Sequence, residues 1–213
     1  MLEIYFIRHG QTEWNTQGMM QGRNNSPLTT EGKEQAKKLS KYLENEVFTA
    51  LLSSPLGRAM ETAEIIKGNR NQSIDTIDEF QEIAMGKVEG IPRSEFEITY
   101  PEEFFNFWND ASKYNPSIFE GESYADVLLR AKEGLKKLIS TYPEGKIIVV
   151  THGVMLKAIC NVVLNHDIEE FTNQEVPENT SVTIVKYDNE NFSIEKFSMT
   201  DHLNWEFSKF SVN

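Results

Sequence analysis

The chain has 213 residues, of which 39% are hydrophobic and 25% are charged, and its formal net charge is −12. This size suits one domain, or one domain with a sizeable insertion, and the composition is ordinary for a globular protein. The acidity argues against nucleic acid or an anionic membrane surface as a partner, and no apolar run reaches the ~18 residues that span a bilayer.

Branched and aromatic residues at positions 2–7 predict a buried strand at the start of the chain. The same segment lacks a basic n-region and a cleavage site, so we expect no secretory signal and a cytoplasmic location. The run KIIVVT at 146–151 gives the strongest strand signal of the sequence. Further strands are predicted at 47–53, 181–187 and 191–198.

Apolar residues at helical spacing predict helices over 30–43, from 54 past 66, from 123 to 142 and over 154–164. Ser54 is expected to cap the second of these helices, with Pro55 at its first helical position. A capping box of Ser123 and Asp126 is expected to start the third. The last helix contains Cys160, the single cysteine, which we expect to be buried. One cysteine excludes an intramolecular disulfide and a cysteine zinc cluster.

Strands that alternate with helices predict a three-layer α/β/α sandwich with a mostly parallel central sheet. Ligands of such sheets bind beyond the carboxyl ends of the strands. Arg8 and His9 follow the first predicted strand, and His152 follows the KIIVVT strand. Arg58 lies beyond the turn after the second strand. We therefore expect these side chains to meet in one site.

Residues 91–120 differ from their surroundings and are predicted to form an inserted helical lid over one end of the sheet. The segment holds eight aromatic residues in 30 positions, with six acids and two cations, Arg93 and Lys113. Its aromatic residues fit core packing and a wall for the substrate equally well. The whole chain, 1–213, is then one domain with this insertion.

Two histidines and two arginines at strand ends suit the chemistry of a phosphate ester. Arginine forks bind phosphate oxygens bidentately and stay protonated. A neutral imidazole is a competent nucleophile, and neighbouring cations favour that form by lowering the histidine pKa from its usual ~6.5. A carbonyl near His9 would fix the tautomer by accepting the other ring N–H. The aromatic, net acidic lid should accept an apolar leaving group and repel a second phosphate.

A set of short motifs covers essentially the whole chain in a fixed order. They are RHGQTEWN at 8–15, Gln21-Gly22 with PLT at 27–29, SSPLGRAMETA at 53–63, Glu82 with Gly86, Glu89 and Gly90, GES at 121–123, and THG at 151–153. Together they resemble the histidine phosphatase superfamily, also called the phosphoglycerate mutase-like family, and most of all its Bacillus-type broad-specificity phosphatases. Asn25 stands where that family often has an acid, and Val88 where it often has tryptophan.

The resemblance implies a role for each site residue. His9 is expected to be the nucleophile that becomes phosphohistidine, and Glu82 the residue that donates and accepts a proton. Three side chains are expected to bind the phosphoryl oxygens: Arg8, Arg58 and His152. Four further residues are expected in phosphate or substrate binding: Asn15, Gln21, Gly22 and Gly153. Neither a metal ion nor a cofactor is expected.

Three titratable residues are less specific. His166 and His202 belong to no motif and are expected to be ordinary surface or loop residues. Glu89 is either structural or the next candidate for the acid, because it lies in the same motif as Glu82.

Several activities stay open. The leading hypothesis is a metal-independent phosphomonoesterase whose partner is a small-molecule phosphate ester. A cofactor-dependent phosphoglycerate mutase would need a second cationic cluster, which the two cations of the lid do not offer. An alpha-ribazole-type phosphatase shares the motifs. A binding module without catalysis would lack the nucleophile or the acid, and a nucleotide-binding domain would carry a glycine-rich phosphate loop, which is absent. A homodimer is compatible with the sequence.

Overall fold

Six strands form one sheet in the computed structural model, which describes residues 1–204 of the chain. They are β1 (Leu2–Arg8), β2 (Ala50–Ser53), β3 (Ile74–Thr76), β4 (Gly145–Thr151), β5 (Val182–Asp188) and β6 (Asn191–Met199). Their order across the sheet is β3-β2-β4-β1-β5-β6. Strands β1 to β4 are parallel, and β5 and β6 are antiparallel at one edge. The predicted α/β class with a mostly parallel sheet is confirmed.

Helices cover both faces of this sheet. They are α1 (Glu13–Gln17), α2 (Thr30–Tyr42), α3 (Gly57–Lys67), α4 (Arg93–Thr99), α5 (Pro101–Asn109), α6 (Tyr124–Thr141) and α7 (Gly153–Leu164). Ile4 and Phe6 of β1 belong to one apolar core, together with α6 and α7. Tyr5 and Ile7 point to the other face, into a core with α2 and α3, which gives the three layers. Within residues 1–204, no helix is both long enough and apolar enough to cross a bilayer.

Helix α3 begins two residues later than predicted, so Ser54 and Pro55 precede it. The hydroxyl of Ser54 lies 2.7 Å from Nε2 of His152. Another residue caps α3 in place of Ser54: Oδ1 of Asn25 accepts a hydrogen bond of 2.8 Å from the backbone N–H of Arg58, in the first turn of the helix. The predicted cap was wrong because a side chain distant in sequence supplies the cap and the serine has a tertiary partner.

Other differences are small and local. Strand β2 starts at Ala50 instead of 47, and two short elements, α1 and β3, were not predicted. Helix α1 lies in a polar stretch and begins with a capping box of Thr12 and Asn15. The predicted capping box of Ser123 and Asp126 at the start of α6 is confirmed.

The segment 91–120 contains α4, α5 and a 3₁₀ turn at Pro116–Phe119. Phe96 is fully buried there, and its ring centroid lies 5.5–6.4 Å from the rings of Phe104, Phe107 and Phe119. These rings join the core that contains α6 and α7. Core packing is therefore the main task of the aromatic residues in this segment.

The residues outside the motifs gave one wrong expectation. Cys160 is buried as predicted, and burial raises the pKa of its thiol to about 12. His166 is half-buried. His202 was expected at the surface or in a loop, but it is only 1% exposed. Its Nε2 lies 3.1 Å from Oγ1 of Thr180, and burial lowers its pKa to about 4.

Candidate active site

The carboxyl ends of β1, β2 and β4 meet at one cavity of about 260 Å³. Eight of the nine predicted site residues line it: Arg8, His9, Asn15, Gln21, Gly22, Arg58, Glu82 and Gly153. The ninth, His152, lies next to His9, with 5.3 Å between the two ring centroids. The fold thus brings together residues that the motifs place far apart in sequence.

His9 directly follows β1 and is 3% exposed. Its Nδ1 lies 2.8 Å from the carbonyl oxygen of Gly10, which can only accept, so Nδ1 carries the ring proton. Nε2 is then the nitrogen with a free lone pair. Burial lowers the pKa of His9 well below its ordinary 6.5, and the charges of Arg58 and Arg8 lower it further. At pH 7 the ring is therefore neutral and in the tautomer that a nucleophile needs.

His152 is fully buried at the N-terminus of α7. Its Nε2 lies 2.7 Å from Oγ of Ser54, and that hydroxyl also accepts a long hydrogen bond of 3.4 Å from the N–H of Leu56. We assign the serine proton to the bond with Nε2, and this assignment leaves Nδ1 as the protonated nitrogen. Nδ1 is buried without a partner among the described residues. Burial lowers the pKa of His152 well below 6.5, with Arg58 adding to the effect, so the ring is a neutral donor.

Arg8 and Arg58 bring two positive charges to the cavity. Arg58 is 1% exposed, and its terminal nitrogens donate to the carbonyls of Gly22 at 2.7 Å and Asn24 at 2.8 Å. Arg8 donates from Nη1 to the carbonyl of Pro177 at 2.7 Å. Burial lowers the pKa of Arg58 to about 10, which leaves it charged at neutral pH. Within residues 1–204, the Nε–H groups of both arginines are buried without a partner. They are suited to the oxygens of an anion.

Two amides and a close backbone contact complete this side of the cavity. Oδ1 of Asn15 accepts from the N–H of Thr12 at 3.1 Å, so its amide nitrogen is left as a donor. Nε2 of Gln21 bonds to Oγ1 of Thr12, while its Oε1 is buried without a partner among the described residues. A half-turn of that amide would let the threonine donate to Oε1 and would direct N–H donors to the cavity. Gly22 has φ +51°, and a Cβ there would lie 2.2 Å from the carboxylate of Glu89.

Glu82 is the carboxylate that lines this cavity in the described part of the chain. Its Oε1 accepts from the N–H groups of Ile83 and Met155, both at 3.0 Å, and Oε2 accepts from that of Val154 at 3.1 Å. Two of these donors lie in the first turn of α7, where the helix dipole favours a negative charge. The arrangement fixes a proton acceptor beside the cavity.

Glu89, the alternative candidate for the acid, does not line the cavity. Its Oε1 accepts from the N–H groups of Arg23 at 2.9 Å and Met85 at 2.8 Å, and Oε2 accepts from that of Asn24 at 3.0 Å. Glu89 therefore connects the loop at 22–24 to the segment that follows Glu82. The carbonyls of Gly22 and Asn24 in this loop accept hydrogen bonds from Arg58. We assign it a structural role.

Sequence reasoning missed two sets of positioning contacts. Arg130 on α6 makes a bidentate ion pair with Glu122, at 2.6 and 2.8 Å. It also donates to the carbonyls of Glu79, Gln81 and the site glutamate, Glu82. Nδ2 of Asn179 donates to the carbonyl of His9 at 2.9 Å. Glu122 belongs to the GES motif, which was a usable signal. Arg130 and Asn179 lie in no motif, and only the tertiary structure brings them to the site.

The remaining lining of the cavity is mostly apolar. Its apolar members are Trp14, Met19, Met20, Ile83, Met85, Phe107, Trp108, Val154 and Val176. The segment 91–120 contributes Phe107 and Trp108 to this wall, together with Arg93. None of the six carboxylates of that segment lines the cavity. The expectation that the lid repels a second phosphate through its net charge therefore loses its basis.

The charges of the lining suit an anionic ligand. Arg8, Arg58 and Arg93 face the cavity with Glu82 as the opposing charge. In the part of the chain that the structure describes, no group of three or more His, Cys, Asp or Glu side chains is placed to hold a metal ion.

The sequence model of the histidine phosphatase superfamily (branch 1) matches residues 4–200. The chain belongs to this superfamily. It is 29% identical over 203 residues to the uncharacterized phosphatase PhoE of Bacillus subtilis, covering 95% of this chain and 97% of that protein. It is 32% identical over 165 residues to the probable phosphoglycerate mutase GpmB of Serratia proteamaculans, covering 77% and 75% of the two chains. The solved structure of Bacillus stearothermophilus YhfR superposes with a TM-score of 0.91 at 33% identity, covering 95% of this chain and 100% of YhfR.

Membership in the superfamily confirms the predicted family and the predicted enzyme class, a phosphomonoesterase of the histidine phosphatase type. The similarity to YhfR confirms the fold over almost the whole chain. The relatives include both a phosphatase and a probable mutase, so membership alone does not select the specific reaction.

Proposed function

We propose that the chain is a metal-independent phosphomonoester hydrolase that acts through a phosphohistidine intermediate on His9. Its substrates are small phosphate esters over a broad range. The observation that supports this most strongly is the neutral His9 ring, whose Nδ1 is bonded to a carbonyl while Nε2 stays free. Arg8 and Arg58 line the same cavity with unpartnered Nε–H groups, so nucleophile and anion site lie side by side.

In the first step, the phosphoryl oxygens bind to the Nε–H groups of Arg8 and Arg58 and to Nδ1–H of His152. Nε2 of His9 attacks phosphorus, and a phosphorus–nitrogen bond forms as the bond to the leaving oxygen breaks. Glu82, protonated at this stage, gives its proton to that oxygen, so the product departs as an alcohol. Fixed donors in a buried site stabilise the charge that develops on the phosphoryl oxygens.

In the second step, a water molecule occupies the place of the alcohol. Glu82, now ionised, takes a proton from this water as the water oxygen attacks phosphorus. The phosphorus–nitrogen bond breaks, inorganic phosphate leaves, and His9 returns to its neutral form. One carboxyl group thus serves both steps.

The similarity to a probable phosphoglycerate mutase favours a second candidate, a cofactor-dependent mutase. A mutase returns the phosphoryl group to its substrate, so it has to hold a bisphosphate with two dianionic ends. Beyond Arg8 and Arg58, the described lining of the cavity offers Arg93 as a cation, and one cation is a weak site for a second dianion. This favours hydrolysis. An alpha-ribazole-type phosphatase would share every step and differ in the leaving group alone.

Rapid-quench labelling with a radioactive phosphate ester tests the intermediate. We expect an acid-labile, base-stable label on His9, undiminished in excess chelator. In His9→Ala the label is lost and turnover falls by about 10⁴-fold or more, because the nucleophile is gone. His166→Gln, a change outside the cavity, should keep the label.

Three results would contradict the proposal. They are a label on another residue, an absolute requirement for a divalent ion, and conversion of 3-phosphoglycerate to 2-phosphoglycerate with little hydrolysis.

Other expectations stay predictions from the sequence. They are the organisation of 1–213 as one domain with a lid insertion at 91–120, a cytoplasmic location, and a homodimer. Residues 205–213 of this domain lie outside the described residues. The proposed partner is a small-molecule phosphate ester, and neither nucleic acid nor a membrane surface is proposed.

A further inference from the structure

Thr62 is a residue of α3 that the two proposed steps do not use. It is fully buried, and it lies in the motif at 53–63. The Thr62 hydroxyl donates to the carbonyl of Arg58, one turn earlier in the helix, at 2.7 Å. The same oxygen accepts from the backbone N–H of Gly10 at 3.0 Å. Because a carbonyl only accepts and an N–H only donates, the role of the hydroxyl in each hydrogen bond is fixed.

The bond to Gly10 reaches the residue next to the proposed nucleophile. The carbonyl of Gly10 lies 2.8 Å from Nδ1 of His9. Thr62 therefore holds the N–H of the residue whose carbonyl selects the tautomer of the His9 ring. Three hydrogen bonds in series thus connect α3 to that ring, and bonds in such a chain strengthen one another.

The backbone around Gly10 is held closely on other sides as well. The N–H of His9 donates to the carbonyl of Thr151 at 2.9 Å, and Nδ2 of Asn179 donates to the carbonyl of His9 at 2.9 Å. Gly10 also packs against α2, where a Cβ on it would lie 2.6 Å from the carbonyl oxygen of Gly32. Glycine has no side chain that restrains its backbone, so the direction of the Gly10 carbonyl depends on the group that holds its N–H.

Loss of the Thr62 hydroxyl would leave the buried N–H of Gly10 without this partner. An unsatisfied buried donor is costly, so we expect the peptide to turn toward another acceptor. The Gly10 carbonyl would then move away from Nδ1, and the neutral His9 ring would be free to carry its proton on either nitrogen. A ring with its proton on Nε2 cannot attack phosphorus through that nitrogen.

We propose that Thr62 is a positioning residue, which holds the His9 ring through Gly10 in the tautomer that leaves Nε2 free. The proposal rests on the proposed function, since that function makes His9 the nucleophile. Thr62 does not line the cavity, so it acts on the reaction through the backbone of Gly10 and not by contact with the substrate.

Three substitutions of Thr62 provide the test. Thr62→Val keeps the shape of the side chain without the hydroxyl, and Thr62→Ala removes the hydroxyl without placing a methyl group against the N–H of Gly10. In both, nitrogen NMR of the His9 ring should show a mixture of the two neutral tautomers, and rapid-quench labelling should show His9 phosphorylated about tenfold more slowly. Thr62→Ser keeps the hydroxyl, so we expect the proton on Nδ1, as in the native protein, and a rate within about threefold of the native one.

Thr183→Val is the matched control. Thr183 is 1% exposed, lies outside the cavity, and accepts from the backbone N–H of Ser198 at 3.1 Å through Oγ1. This variant loses a comparable buried hydrogen bond, so its melting temperature should fall while the His9 tautomer and the labelling rate stay native.

Two results would overturn the assignment: a native tautomer in Thr62→Val and Thr62→Ala, or a mixture in Thr62→Ser equal to theirs. If the native protein carries no label on His9, the proposed function has failed. The NMR comparison needs no substrate, so it still tests Thr62 in that case.

Discussion

The two sides of the cavity hold their arginines in different ways. On the sheet side, Arg58 is 1% exposed and bonded to two backbone carbonyls. On the lid side, Arg93 is exposed and contacts the faces of two rings. A buried charge needs partners with fixed geometry, whereas an exposed charge on an aromatic face tolerates change. We therefore expect a substitution of Arg58 to disturb the fold around it, and a substitution of Arg93 to leave the fold intact.

The largest expected effect comes from Glu82→Gln, which changes the carboxylate that lines the cavity in the described part of the chain. A glutamine cannot protonate the leaving oxygen, and such help is typically worth 10²–10⁴-fold. An alkyl phosphate depends on that proton, whereas a nitrophenolate leaves readily without it. We expect formation of phosphohistidine to slow by that factor for an alkyl phosphate and only weakly for p-nitrophenyl phosphate. The rates have to be pre-steady-state, because loss of the base also slows the shared second step.

Glu97→Gln is the control for this change, since Glu97 is an exposed carboxylate outside the cavity. It should leave both rates unchanged. The amide in Glu82→Gln would meet the N–H of Val154, so the melting temperature has to be compared as well. Equal slowing for both substrates would show that Glu82 is not the proton donor.

A smaller effect is expected from Ser54→Ala. Its hydroxyl lies 2.7 Å from Nε2 of His152, and without it the neutral ring is free to carry its proton on either nitrogen. One donor to the phosphoryl group is then partly lost, so we expect phosphorylation to slow by about tenfold. Nitrogen NMR of the His152 ring should show the proton on Nδ1 in the native protein. In the variant it should show a mixture of the two neutral tautomers.

Ser53→Ala is the matched control, because Ser53 is equally buried and donates to a backbone carbonyl at 2.8 Å instead. Its His152 signals should match those of the native protein. If Ser54→Ala slows the reaction but leaves the tautomer unchanged, the role assigned to the serine is wrong.

The fold could be predicted from local patterns to the extent that burial controls them. Alternating and helical apolar spacing located the long elements, and the capping box of Ser123 and Asp126 located the start of α6. The start of α3 was misplaced because its cap comes from Asn25, a residue far away in sequence. His202 was misplaced because no local pattern records that a polar ring is covered by another part of the chain.

The candidate site shows the same limit. The motifs named nine residues, and the structure places them in or next to one cavity. Motifs could name these residues because each position has strict requirements for geometry and charge. The sequence could not show that Ser54 contacts His152, since the proline after it favoured a helix cap. Counting charges over 91–120 also misrepresented the lid, because its acids lie away from the cavity and Arg93 lies in it.

The smallest expected effect is a decrease of the melting temperature as the pH falls. His9 and His152 at the cavity contribute to this decrease, and so does His202 outside it. Burial lowers the pKa of His9 and His152 well below 6.5 and that of His202 to about 4, whereas an unfolded histidine titrates near 6.5. As pH falls below 6.5, the unfolded chain binds protons that the folded chain does not, so stability is full above that pH and decreases below it. Between pH 7.5 and 5.5 the melting temperature should drop by roughly 2–4 °C for each kcal/mol of lost stability. A variant and a ligand separate the contributions of the histidines. In His202→Gln the drop in melting temperature should be smaller.

Inorganic phosphate should also reduce the drop, because a bound anion offsets the arginine charges that lower the pKa of His9 and His152. A melting temperature independent of pH in this range would contradict the assigned neutral state of the site.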